Sequence, residues 1–180
     1  MQQNQRITLY ILLLIAGASW IELSAIPIGV ASNDHTIAPQ AGFAAPDFTL
    51  KSADGRNYSL SELKGQAILL NLWATWCPPC RAEMPTIEKM YQEYKDQGLV
   101  VIAINMTYQD DPSSVVPFAQ EYGLTFPILL DETGIVASAY QLRSLPSSFF
   151  INRKGIIQEV VIGGPMSEAL LRTRIEKILQ

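Results

Sequence analysis

Residues 67–74, AILLNLWA, carry seven apolar side chains in eight, and residues 99–106, LVVIAINM, repeat the pattern. A run this apolar has no polar face to offer water, so it reads as a strand covered on both sides. Between the two runs Met84, Ile87, Met90, Tyr91 and Tyr94 recur at helical spacing, with Glu and Lys among them, up to Gly98. That is an amphipathic helix with a glycine stop. Strand, helix and strand in this order make a crossover unit, and a sheet built from such units needs helices on its faces.

The flanking segments complete the pattern. DFTLKSADGRNYSL gives two short alternating runs around Asp54-Gly55, a hairpin signal. Asp111-Pro112 opens a helical stretch that Gly123 closes, with Pro117 predicted to sit in its first turn or to kink it. PILLD reads as a short strand and TGIVASAYQL as a short helix. SSFFIN and IIQEVVIG flank Arg153-Lys154-Gly155 as an antiparallel pair, and SEALLRTRIEKIL is a final amphipathic helix. The expected architecture is an α/β three-layer sandwich with a central mixed sheet and an extra N-terminal β-hairpin.

The chain has 180 residues, enough for one domain with some excess, and a hydrophobic fraction of 48% supports a sizeable core. The folded domain is expected over 42–180. A net charge of −4 with scattered Lys and Arg gives no basic footprint, so nucleic-acid binding is not expected. Residues 1–31 are separate: Ile7–Ile21 is apolar and uncharged behind Arg6, and an apolar tail continues to Ala31. Its length lies between a signal-peptide core and a full span. An uncleaved membrane anchor is favoured over a signal cleaved after Ala31, because that cut would stand far from the apolar core. Arg6 and the terminal amine keep the N-terminus inside, which puts the domain on the extracytoplasmic side. Residues 32–41 read as a polar linker and hold His35, the only histidine.

The only two cysteines, Cys77 and Cys80, stand in ATWCPPCRAEMP, where the first apolar strand gives way to the helix. Two cysteines and one distant histidine cannot supply the four ligands of a structural zinc site. Arg81 occupies the place where a c-type haem motif needs histidine. A bridge across two residues closes almost no loop, so a purely structural disulfide gains little. Redox exchange remains. Unpaired N–H groups and the dipole at a helix N-terminus favour a thiolate, which is the nucleophile. Cys77 is the expected attacking sulfur, and Cys80, one turn in, the resolving one. No cofactor and no metal are called for.

NLWATWCPPCRAEMP resembles the active-site signature of the thioredoxin superfamily, specifically its membrane-anchored, extracytoplasmic TlpA/ResA-type branch, over about residues 42–180. The resemblance implies a thiol-disulfide oxidoreductase. Its implied partners are disulfide-containing exported proteins such as apocytochrome c before haem attachment, with a membrane dithiol carrier as electron donor. Pro85 matches the proline within the active-site helix, and SLPSSFFIN matches the segment with the family's cis-proline, here Pro146. The resemblance assigns Leu145 backbone contacts to the substrate chain. Pro78 lies between the cysteines. Trp76 is expected to shield Cys77 and touch substrate, and Trp73 to be core.

Two departures matter. Cytoplasmic thioredoxins carry a buried aspartate where this chain has Asn71, which cannot take a proton. Glu83 stands three residues after Cys80, the spacing of the ResA-type glutamate, and is the expected acid–base partner of the thiols. Two other functions fit the motif less well. A thiol peroxidase would carry Thr or Ser where Ala74 stands, and Thr75 is one residue late. A copper-carrier assembly factor would carry wider cysteine spacing and a histidine within the domain. Asn57-Tyr58-Ser59 and Asn105-Met106-Thr107 match a glycosylation pattern.

Overall fold

A computed structural model describes residues 36–180. The segment 1–31 read as anchor or signal, the first part of the linker and His35 lie outside the described residues. Among the described residues, no helix is long and apolar enough to cross a membrane.

The apolar runs form the two central strands. Strand β3 (Ala67–Trp73) pairs in parallel with β4 (Leu99–Asn105), and β4 pairs in parallel with β5 (Ile128–Leu130). On the other side β6 (Ser147–Ile151) runs antiparallel to β3, and β7 (Ile157–Ile162) antiparallel to β6. The order β5-β4-β3-β6-β7 is a mixed sheet with β3 at its centre. Before it, β1 (Thr49–Lys51) and β2 (Asn57–Ser59) make a separate antiparallel pair across the Asp54-Gly55 turn.

All seven residues of β3 are buried, and alternate side chains enter two different cores. Leu69 and Trp73 meet α1 (Pro78–Tyr94), α2 (Pro112–Glu121) and α4 (Glu168–Leu179) through Met84, Ile87, Phe118, Leu171 and Ile175. Ile68, Leu70 and Leu72 meet the hairpin and α3 (Ile135–Ala139) through Leu50, Val136 and Tyr140. The layers are therefore helix, sheet, and helix with hairpin, as the sequence pattern implied.

The helix ends follow local chemistry. α1 passes into a 3₁₀ turn, Lys95–Gln97, and stops at Gly98 with φ 92°, a left-handed conformation that glycine adopts without strain. Pro117 lies in the second turn of α2 and not in its first, and Pro85 lies inside α1. Each removes one helical N–H. Ala38 N–H donates to Ala44 O and Gly42 N–H to Ile157 O, so residues from Ile37 onward already lie along the domain.

One turn is built against propensity. After α3, Leu142 N–H donates to Ala137 O and Gln141 N–H to Ser138 O, the paired bonds of a Schellman cap. The left-handed position, φ 50°, is held by Gln141, the only non-glycine residue with positive φ among those described. A side chain there costs about 1 kcal/mol. Gln141→Gly should therefore raise stability by up to about 0.5 kcal/mol, glycine's extra freedom in the unfolded chain offsetting part of the gain. Equilibrium urea unfolding of the two proteins checks this; a lower midpoint for the glycine variant contradicts it.

Candidate active site

Strand β3 ends at Trp73, and the chain enters α1 only five residues later. Cys77 is the N-cap of α1, and its Sγ accepts a hydrogen bond of 3.3 Å from the Cys80 N–H. Pro78 and Pro79 occupy the first two helical positions, where a missing N–H costs nothing. Cys77 and Cys80 are joined in a disulfide, with Cα atoms 5.3 Å apart. Both are buried, Cys80 completely and Cys77 at 3% exposure. Cys77 nevertheless reaches the wall of an open cleft of about 410 Å³. Trp76, Pro78 and Leu145 line the same cleft, which brings two distant segments together, whereas Pro146 is buried and does not line it. The Leu145–Pro146 bond is cis.

Glu83 is no exposed helix residue, being 1% exposed. Asn71 faces Ser148 across the β3–β6 ladder, and its amide donates both to Glu83 Oε1 (2.8 Å) and to Ser148 Oγ (2.9 Å). The Met166 N–H donates to Glu83 Oε2 at 3.4 Å. Burial pushes the Glu83 carboxyl above the ordinary glutamate value, against these hydrogen bonds, which pull it down. Asn71 is thus more than a missing acid. It turns a donor toward the carboxyl, and its own buried carbonyl oxygen has no partner among the described residues.

Sequence reasoning missed what holds the segment before Cys77. The Asp110 carboxylate accepts the Thr75 N–H and the Thr75 hydroxyl at 2.6 Å each, the Asn105 amide at 2.8 Å and the Asp111 N–H at 2.9 Å. Partial burial pushes its pKa up, but these four donors outweigh it and leave the carboxyl more acidic than usual. The Trp76 indole N–H donates to Gln109 O, and Arg81 reaches back to Thr75 O. Nothing local in the sequence links Asp110 to Thr75, 35 residues away. Asn105 is fully buried within this cluster, so its match to a glycosylation pattern is incidental. Trp76 lines the cleft with 56% of its surface exposed, while Trp73 is core as expected. Tyr108, Gln109 and Arg143 complete the cleft and were also unforeseen.

The AhpC/TSA family model matches residues 41–160, which covers the dithiol, its supporting cluster and most of the sheet. This chain belongs to the AhpC/TSA family. Its fold is thioredoxin-like. A thiol:disulfide interchange protein of the thioredoxin family from Chlorobium tepidum TLS superposes with a TM-score of 0.71 at 26% identity, covering 78% of this chain and 97% of that one. The thiol-disulfide oxidoreductase ResA of Geobacillus kaustophilus is 34% identical over 174 residues, 96% of each chain. The thioredoxin-like protein YneN of Bacillus subtilis is 47% identical over 125 residues, 69% of this chain and 72% of that one. With its paired cysteines at disulfide distance, the chain is a thiol-disulfide oxidoreductase. In this chain the Thr75 hydroxyl is engaged by Asp110, and the position a peroxidase would need is the buried Ala74.

Two outcomes follow from the packing. A Cβ on Gly164 would stand 2.7 Å from Glu83 Oε2 and 2.8 Å from Pro146 Cγ. Gly164→Ala should cost about 1–3 kcal/mol by overpacking, read as a lower urea midpoint. The second concerns pH. The folded chain holds the Glu83 proton more tightly than the unfolded chain, so this group's contribution is full below the ordinary value of 4.5 and is lost as pH rises through the folded value. Unfolding free energy should therefore fall with pH above 4.5 more steeply in wild type than in Glu83→Gln. Parallel profiles would contradict it.

Proposed function

We propose that this oxidoreductase works as a reductant on the extracytoplasmic side of the membrane, acting on disulfides of exported proteins, with apocytochrome c before haem attachment as the leading candidate. What supports the reading most is the Cys77 sulfur, capping the N-terminus of a 17-residue helix at the wall of an open cleft. The ResA relative, a thiol-disulfide oxidoreductase matched along nearly its whole length, supports the exchange chemistry. The apolar segment Ile7–Ile21 supports a tether, with a membrane dithiol carrier restoring the reduced pair.

In this scheme the Cys77 thiolate attacks one sulfur of the substrate disulfide, and the other sulfur leaves as a thiolate and takes a proton. Cys80, once deprotonated, attacks Cys77 Sγ. The second substrate sulfur leaves as a thiol, and the pair ends as a disulfide, two electrons having passed to the substrate. Trp76, Pro78, Leu145 and Pro146 seat the substrate chain. Glu83 exchanges the proton that Cys80 must lose, because burial raises its proton affinity above that of an ordinary glutamate. A carboxylate beside the pair also disfavours a second negative charge, so the three groups titrate together.

The test is a redox titration of the pair against glutathione. A potential near −250 mV or lower fits a reductant, and one near −120 mV, the range of a strong oxidant, overturns the direction. The attack order has its own check. Cys80→Ala should accumulate mixed disulfides with substrate through Cys77, and Cys77→Ala almost none. Equal trapping by both variants contradicts the assignment.

A further inference from the structure

We infer that Arg143 makes this enzyme select substrates that carry an acidic residue within two positions of the reactive cysteine. The inference rests on the reading of the cleft as the substrate's seat and adds the chemistry of what sits there.

Arg143 is the only charged residue among those lining the cleft, which is otherwise built from aromatic, proline, cysteine, leucine and small polar residues. It is also the one arginine among the described residues whose guanidinium has no partner there. Arg56, Arg81, Arg172 and Arg174 each pair with a carboxylate. Arg153 donates to the carbonyls of Gly65, Gln97 and Leu179. Where this chain places an arginine for structure, its donors are matched within the fold. Arg143 is exposed and aims at nothing the described chain supplies.

Its place on the backbone is fixed from both sides. The Schellman turn at Gln141 precedes it, and the cis-Pro146 loop, with Leu145 in the cleft, follows it. No carboxylate lines the cleft to neutralise it, and Asp110, which braces the segment before Cys77, has both oxygens engaged by Thr75, Asn105 and Asp111. A cation held there in a chain of net charge −4 makes the cleft locally opposite in sign to the whole. A planar guanidinium meets a carboxylate through two parallel N–H···O bonds, a match that an amide or an ammonium cannot give. The exposed rings of Trp76 and Tyr108 in the same cleft offer apolar contact to the rest of the segment. The fitting occupant is thus an extended peptide with Asp or Glu beside its cysteine.

The experiment uses the full-length reduced protein and three synthetic peptide disulfides, with Glu, Gln or Lys flanking the cysteine. Single-turnover reduction rates are measured for wild type, Arg143→Glu and Arg143→Lys. The quantity compared is the Glu-to-Lys rate ratio within each protein, so a general loss of activity in a variant cancels. Wild type should favour the Glu peptide by about fivefold over the Lys peptide, the factor that one partly exposed charge pair supplies. The ratio should fall toward one in high salt. Arg143→Glu should invert the ratio, and Arg143→Lys should keep its direction at reduced size. A wild type that reduces all three peptides at one rate, or a ratio unmoved in Arg143→Glu, overturns the inference and leaves the reductase reading standing. A wild type that reduces none of them overturns both.

Discussion

Strand β3 is the element on which the site depends, because it is buried on both faces and its direction is therefore not free. Its end sets where the chain must leave the sheet, and α1 must start almost at once to cover the face that Leu69 and Trp73 present. The sulfur of Cys77 is held at that junction, where a helix end has N–H groups to spare. The same strand carries Asn71 underneath, within hydrogen-bond reach of the one carboxyl that α1 turns inward. Reactive group and buried acid are thus two faces of one strand-to-helix transition.

How much of this could be read beforehand depended on whether the signal was local. The central strands, α1, the final helix and the hairpin were legible because burial and periodicity write themselves into consecutive residues. The cysteine pair was legible for the same reason, and the cis bond at Pro146 through its place in a known signature. What escaped notice was held by contacts between distant segments. Asp110 looks like any loop aspartate until Thr75 is seen against it. Arg143 looks like any surface cation until every other described arginine is found to be occupied. Gly164-Pro165 is a second cis bond with no sequence mark beyond its proline.

Two carboxylates near the dithiol show how environment divides one chemistry into two. Asp110 is met by four donors and is held as an anion that fixes a backbone turn. Glu83 is more deeply buried and meets fewer donors, so burial prevails and the proton is held more firmly. The first therefore stays charged where it braces a turn, and the second keeps its proton to higher pH. Exchanging their surroundings would exchange their behaviour, although the side chains differ by a single methylene.

The Met166 N–H that touches Glu83 comes from 83 residues further along the chain, and Gly164 lies against the same carboxyl. A polypeptide made from its N-terminus presents both cysteines before that covering segment exists. In the nascent chain the carboxyl is wet and as acidic as any other glutamate. The sulfurs therefore arrive ahead of the environment that tunes their neighbour, and the sealing of this small acid compartment is among the last events of maturation.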